Sequence, residues 1–303
     1  MSSQQIQQHL VLGGSGAQGS AIARELLGRG QQVKVLVRSE AGPVPAGAQR
    51  VVADLADGDA LLEAFKGVTH LTVTLPLEYN PEVTDAYAMN ISRAAERNHV
   101  RRIVFNANTR TPHVRSDVAA FDTRNGADAI LRASSVEIVT LKPSIYLENL
   151  LAPPSLAGMQ EHGQLHYPLP AQTRVSWLSL ADLGRAVVAA HSLDNVPAAP
   201  VLIGSSPLQG HELAAQLSEA VGRPLSYVPL PPDVFEQSLV AFIGPKSAAG
   251  VAGIYHWAFR HPDTTLFATG DAGEQLDQSL LPQALTPRAW SLGQPWSRAR
   301  PAA

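Results

Sequence analysis

The chain of 303 residues is 45% hydrophobic and carries 23 basic against 26 acidic side chains, a formal charge of −3, which allows one or two domains with a large core and gives no overall attraction to nucleic acid or an anionic membrane. Cysteine is absent, which excludes disulfides, thiolate catalysis and cysteine-ligated zinc or iron–sulfur centres. The opening Met1–Gln8 has neither positive charge nor an apolar core, and no uncharged apolar run reaches the about 18 residues of a membrane span, so the expectation is a soluble, cytoplasmic protein without a secretory signal.

Leu10–Leu12 is a short apolar run that meets Gly13, Gly16 and Gly19, after which Ala21, Ile22, Leu26 and Leu27 recur at helical spacing. The order is strand, tight turn, helix. Such a turn suits a phosphate, because the first amides of a helix have no internal partner and the helix dipole is positive there. Glycine is needed where a side chain would block the phosphate or the strand. With a second strand at Gln32–Val37, the turn reads as a dinucleotide site contacted by Gly13, Ser15, Gly16, Ala17, Gln18 and Gly19. A P-loop would need lysine where Ser20 stands, and a nucleophile elbow would need glycine where Ala17 stands.

Arg38 follows the second strand, where this fold faces the adenosine ribose; an arginine there suits the extra phosphate of NADP, and a solvated arginine ending a strand is the alternative. Arg50–Leu55 reads as a third strand whose Asp54 meets an adenine edge, caps the next helix, or both, with Leu55 beside it. Thr69–Leu75 is a fourth strand, Glu78–Asn98 a helix started by Pro81, Arg102–Asn106 a fifth strand, Val118–Ala133 a helix and Val136–Leu141 a sixth strand. Strands alternating with long helices predict an α/β fold of Rossmann type, a doubly wound parallel sheet whose ligand lies at the carboxyl ends of the strands. Those ends present Thr74, Leu75, Pro76 and Leu77, then Asn106, Ala107, Asn108 and Thr109, then Ser144 through Asn149, which includes Tyr146.

Past about residue 150 prolines break the text. Val175–Asp182 leads into a helix through His191, Pro200–Ile203 reads as a strand and Glu212–Val221 as a helix, while Arg298–Ala303 reads as a frayed end. The expected division is a nucleotide-binding domain over 1–150 and a smaller substrate lobe over 151–303, with about 175–205 returning to the main sheet. His162 and His166 have a helical metal-ligand spacing, but Gly163 interrupts it and no third ligand is evident. His211-Glu212 lacks the second histidine of a zinc-protease motif, and His256 and His261 read as packing around Trp257 and Phe259.

The chain resembles the NmrA-like group of atypical short-chain dehydrogenase/reductases. The resemblance rests on Leu12-Gly-Gly-Ser-Gly-Ala-Gln-Gly19, Val35-Leu-Val-Arg38, Asp54-Leu55, Val100-Arg-Arg-Ile-Val-Phe105, Leu141-Lys-Pro-Ser-Ile-Tyr-Leu-Glu-Asn-Leu150 and Trp177-Leu-Ser-Leu-Ala-Asp-Leu-Gly184. It implies a Rossmann domain holding NADP(H), and either an NADPH-dependent reductase, quinone reductases among them, or a cofactor-sensing regulator without turnover. No tyrosine has a lysine four residues later, and Arg124 falls at or next to the place where the reductases carry a lysine. An arginine keeps its proton, so Arg124 can hold ribose hydroxyls or an oxyanion but cannot act as general acid. The expectation is therefore a reductase of a small conjugated carbonyl or quinone-like acceptor, with Arg124 and Tyr146 at the reacting end. The alternative is an NADP(H) sensor acting through a protein partner. Neither requires nucleic acid or membrane.

Overall fold

The computed structural model of the chain describes residues 7–270, 276–294 and 296, so the expectation for Arg298–Ala303 lies outside the described residues. The first half alternates β1 (Gln8–Val11), α1 (Ala17–Gly28), β2 (Gln32–Val37), β3 (Gln49–Val52), α2 (Gly58–Ala64), β4 (His70–Thr74), α3 (Pro81–Arg97), β5 (Arg102–Asn106), α4 (Ala119–Arg132) and β6 (Glu137–Pro143). The second half contributes β7 (Ile145–Tyr146), α5 (Pro153–Ala157), β8 (Gln164–Tyr167), β9 (Trp177–Leu178), α6 (Leu180–His191), β10 (Val201–Ile203), α7 (Gly210–Val221), β11 (Ser226–Pro229), α8 (Pro232–Arg260), α9 (Leu266–Thr269) and α10 (Pro287–Ser291).

Among the described residues the main sheet has the order β10-β6-β5-β4-β1-β2-β3, with every pair parallel. Every residue of β4 and β5 is buried. Burial is continuous along these strands, polar positions such as His70, Thr72 and Asn106 included, because helices cover both of their faces. One face packs on α2, α3 and α4 through Leu61, Ile91 and Leu131, and the other on α1 and α6 through Ile22, Leu26 and Val187. The chain reverses direction between β3 and β4, so a crevice opens at the carboxyl ends of β1 and β4.

Residues of the second half complete this layer. Gly184 lets α6 lie close on α1, since a Cβ there would stand 3.0 Å from Glu25 Cβ. Ser179 caps α6, and the Glu148 carboxylate accepts from the Leu180 amide at 3.1 Å and from Trp290 Nε1 at 3.1 Å. The two longest motifs of the family resemblance are thus tied to each other.

Three local expectations change. The third strand stops at Val52, which leaves Ala53–Leu55 beyond it at the crevice. Asp57 caps α2, while Asp54 accepts from the Ala56 amide at 2.8 Å in a turn of its own. The stretch read as short proline-broken pieces contains α8, a 29-residue helix. Pro232 sits at its start, where no amide donor is needed, and Pro245 follows a break at Gly244 with φ 77° and ψ 162°. With a mean hydropathy of 1.2 in its most apolar stretch, α8 is long and apolar enough to cross a membrane by composition alone, contrary to the sequence reading. The break at Gly244 leaves neither half at the about 20 residues a span needs.

Candidate cofactor cleft and active site

The crevice holds a cleft of about 410 Å³. Its floor is the glycine turn, which the surrounding backbone forces to be bare. A Cβ on Gly19 would meet Gly13 O at 2.4 Å and Gly14 Cα at 2.7 Å, and Gly13 adopts φ +70° with Thr74 O 2.7 Å from where a side chain would start. These are backbone atoms that cannot swing aside. The Gly16 amide donates back to Gly13 O at 3.0 Å, and no side chain caps α1 at Gly16, so the positive end of the helix faces the cleft.

Ser15, Gly16, Ala17 and Gln18 line the cleft with Gly13 and Gly19, as do Thr74, Leu75, Pro76 and Asn108 across from them. Arg38, Asp54 and Leu55 line its far end, and Arg38 is exposed with no ion pair among the described residues. Leu77 lines it as expected, and so do Leu36, Val37 and Tyr87, three residues that sequence reasoning missed. The only sequence signal for Tyr87 is its place one turn from Thr84 on the buried face of α3. Burial pushes its phenol pKa up, with the carboxylates of Asp54 and Glu78 adding to the shift.

Asn106 and Ala107 sit behind the wall rather than on it, with exposures of 0% and 1%. Asn106 Nδ2 donates to Gln18 Oε1 at 2.7 Å, and Asn106 Oδ1 accepts from the Asn108 amide at 3.1 Å. Asn106 thereby aims two residues that do face the cleft. Asn108 Nδ2 donates to Leu75 O at 3.3 Å, whereas Asn108 Oδ1 is buried with no partner among the described residues. A buried acceptor left without a donor costs about 1–3 kcal/mol. The atom is therefore suited to a donor supplied by a ligand, such as a ribose hydroxyl or a carboxamide.

Past Gln18, Leu77 and Asn108 the cleft adjoins an inner cavity of about 240 Å³ lined by the expected Arg124, Ser144, Tyr146 and Asn149 and, unforeseen, by Tyr79 and Tyr255. The Arg124 guanidinium is 2% exposed and already engaged: Nη2 donates to Pro76 O at 2.8 Å, Nη1 to Glu78 O at 3.2 Å, and Cζ lies 5.7 Å from the Tyr79 ring centroid. It clasps the loop after β4. The Tyr146 hydroxyl lies 3.2 Å from Gln18 Oε1 and 3.3 Å from Asn106 Oδ1, and burial pushes its pKa well above the usual phenol range. It stays protonated. Ser144 Oγ donates to Phe267 O at 2.7 Å, tying the end of β6 to α9. His162 and His166 are separated by Gly163 in a left-handed turn, and among the described residues no group of three or more histidine or carboxylate side chains is arranged to hold a metal ion.

The chain matches the NmrA-like family over residues 5–280. It is 29% identical over 249 residues to an NAD(P)H azoreductase of Xenophilus azovorans, covering 79% of this chain and 83% of that one. Among solved structures, an NADPH-dependent quinone oxidoreductase from Escherichia coli in complex with NADPH superposes with a TM-score of 0.70 at 20% identity, covering 93% of this chain and 98% of that one. The negative transcriptional regulator NmrA in complex with NADP gives a TM-score of 0.76 at 16% identity, covering 97% and 99%. At these identities the superpositions establish the Rossmann-type fold, and the match across nearly the whole chain establishes more: this protein belongs to the NmrA-like family.

Proposed function

We propose that the protein is an NADPH-dependent reductase of an uncharged conjugated carbonyl or quinone-like acceptor. The observation that carries this reading is one line of cavities running from the unpaired Arg38, past the bare positive end of α1, to the unpartnered Asn108 Oδ1 and the inner cavity beyond it. The residues fit the cofactor. Gly13–Gly19 would hold the pyrophosphate, Arg38 the 2′-phosphate, Tyr87 and Asp54 the adenosine, and Asn108 the nicotinamide half. Related proteins named for NAD(P)H or NADPH chemistry support the same choice.

Bound there, NADPH would deliver a hydride to a quinone, which takes one further proton from water and leaves as the hydroquinone. The chain's own contribution is positioning. Arg124 fixes the Pro76–Glu78 wall, and Tyr146 stays a neutral phenol that aims Gln18. Such chemistry needs no protein acid, because a reduced quinone is a weak base that water can protonate. The test is NADPH consumption against a panel of quinones and enals. Turnover with quinones is expected, and no turnover above background in a protein that still binds NADPH would overturn the reading.

One observation favours a second reading. Arg124 Nη1 and Nη2 are turned to carbonyl oxygens and burial holds the Tyr146 phenol protonated, so neither group is poised to give up a proton near neutral pH. On that reading the protein is an NADP(H) sensor that signals to a protein partner. Calorimetry separates the two, since a sensor must bind the oxidised and reduced cofactors with different affinities while turning nothing over.

A further inference from the structure

Beneath the first half of α8 lies a chamber of about 470 Å³ that the cofactor cleft does not use. Its walls are apolar, with Phe235, Leu239 and Phe242 of α8 facing Leu230 and Pro168. No lysine, arginine, aspartate or glutamate lines it among the described residues. A cation placed there would lose its hydration and find no carboxylate, and an anion would find neither lysine nor arginine, His166 being the one basic side chain on the wall. The chamber also has a rim, since Val234 and Phe242 are 49% and 66% exposed. The break at Gly244 is what makes the space: the second half of α8 is held on the loop after β4 by Lys246 to Glu78 at 3.3 Å and by the Tyr79 ring against Gly250, and the first half turns away over the chamber.

Asn149, Val251 and Tyr255 line both this chamber and the inner cavity, so the two compartments are neighbours across these three side chains, which form a neck between them in the proposal below. At the neck the hydroxyls of Tyr167 and Tyr255 are 2.9 Å apart, and Asn149 Nδ2 donates to the Tyr167 oxygen at 3.2 Å. Two hydroxyl protons share one mutual bond, and neither oxygen donates to any other acceptor among the described residues. One O–H is therefore left for a ligand, and burial keeps both phenols protonated.

Resting on the reductase reading, we propose that the acceptor is an elongated, uncharged quinone. Its ring lies in the inner cavity, one carbonyl accepts the spare O–H of the Tyr167–Tyr255 pair, and an apolar tail fills the chamber under residues 232–243. The test compares a decyl-tailed dimethoxy-methyl-benzoquinone with the same ring lacking the tail, in wild type, Ser238→Trp and Ser238→Leu. Ser238 lines the chamber, and its hydroxyl only donates to Phe235 O within the helix. Two readouts are taken: kcat/KM for each quinone, and equilibrium binding of each to the NADP⁺-saturated protein. Wild type is expected to favour the tailed quinone by about 10-fold or more, the effect of burying roughly two methylenes. Ser238→Trp brings that ratio toward one, and Ser238→Leu gives an intermediate value. The double variant Tyr167→Phe with Tyr255→Phe weakens binding of both quinones alike.

A ratio near one in wild type, or a ratio undiminished in both Ser238 variants, overturns the chamber assignment while leaving the reductase reading intact. Tail-dependent binding that Ser238→Trp abolishes, with no turnover of either quinone, sinks the reductase reading and keeps the chamber. Unchanged binding in the tyrosine double variant removes the carbonyl contact.

Discussion

Lowering the pH from 7.5 to 5 should strip several kcal/mol from the stability of this protein through three histidines that no cavity uses. His9 on β1 and His70 on β4 stack with ring centroids 5.0 Å apart, and His191 at the end of α6 meets them edge-on at 4.9 and 5.3 Å. All three are at most 3% exposed, the nearby charges are the cations of Arg101 and Arg102, and the Nδ1 atoms of His9 and His191 have no partner among the described residues. Burial, with help from neighbouring positive groups, lowers His9 to about 3, His70 to about 4 and His191 well below its usual value. The unfolded chain takes up these protons near pH 6.5 and the folded chain does not. Stability is therefore fully present above pH 6.5 and falls as the pH drops below it. At pH 5 each of His9 and His70 costs roughly 2 kcal/mol, about 1.4 kcal/mol per pH unit over 1.5 units, and His191 adds to the loss. Against a typical stability of about 5–15 kcal/mol that is a large fraction. Urea unfolding followed by circular dichroism at pH 7.5, 6.5, 5.5 and 5.0 measures the slope, and His9→Gln isolates one proton's share. The variant should lose about 1.4 kcal/mol per pH unit less than wild type between pH 5.0 and 5.5. An identical slope in the two proteins would refute the argument.

Other outcomes concern the cofactor cleft. Arg38→Asp should reverse a preference for NADPH over NADH of about 10- to 100-fold, because it removes a charge-assisted contact worth roughly 1.5–3 kcal/mol and sets a like charge beside the 2′-phosphate; titrating both cofactors checks it, and an unchanged ratio means that Arg38 faces solvent. Gly19→Ala places a methyl 2.4 Å from Gly13 O, so cofactor affinity measured by calorimetry should fall at least about 10-fold as the turn is pushed out of shape. Arg124→Gln frees the carbonyls of Pro76 and Glu78; a loss of about 2–3 kcal/mol in thermal or urea unfolding is expected, and full stability would show that the loop holds itself.

Much of the architecture was local enough to read. Buried runs such as Arg102–Asn106, glycines at 13, 16 and 19, and Pro81 at a helix start each carry their structural meaning within a few residues. Side-chain periodicity, the missing amide of proline and the bare backbone of glycine act over one turn, so strand–helix alternation and the glycine turn follow from the text. The same text misjudged α8, because Pro231, Pro232 and Pro245 look like breakers, whereas in the folded chain Pro232 starts the helix and Pro245 follows a real bend.

What the sequence alone determined is therefore the Rossmann-type parallel sheet, the end of it that opens, and most of the residues that line that opening, from Gly13 to Asn108. Tertiary structure decided the rest. Whether Arg124 is free for chemistry depends on two carbonyls 46 and 48 residues away. The pairing of Tyr167 with Tyr255 spans 88 residues, and the histidine cluster gathers positions 9, 70 and 191. Such contacts follow from how strands cross over and helices stack, and no periodicity along the chain encodes them. A residue's freedom to bind or to titrate is set by which distant atoms bury it and which satisfy its hydrogen bonds.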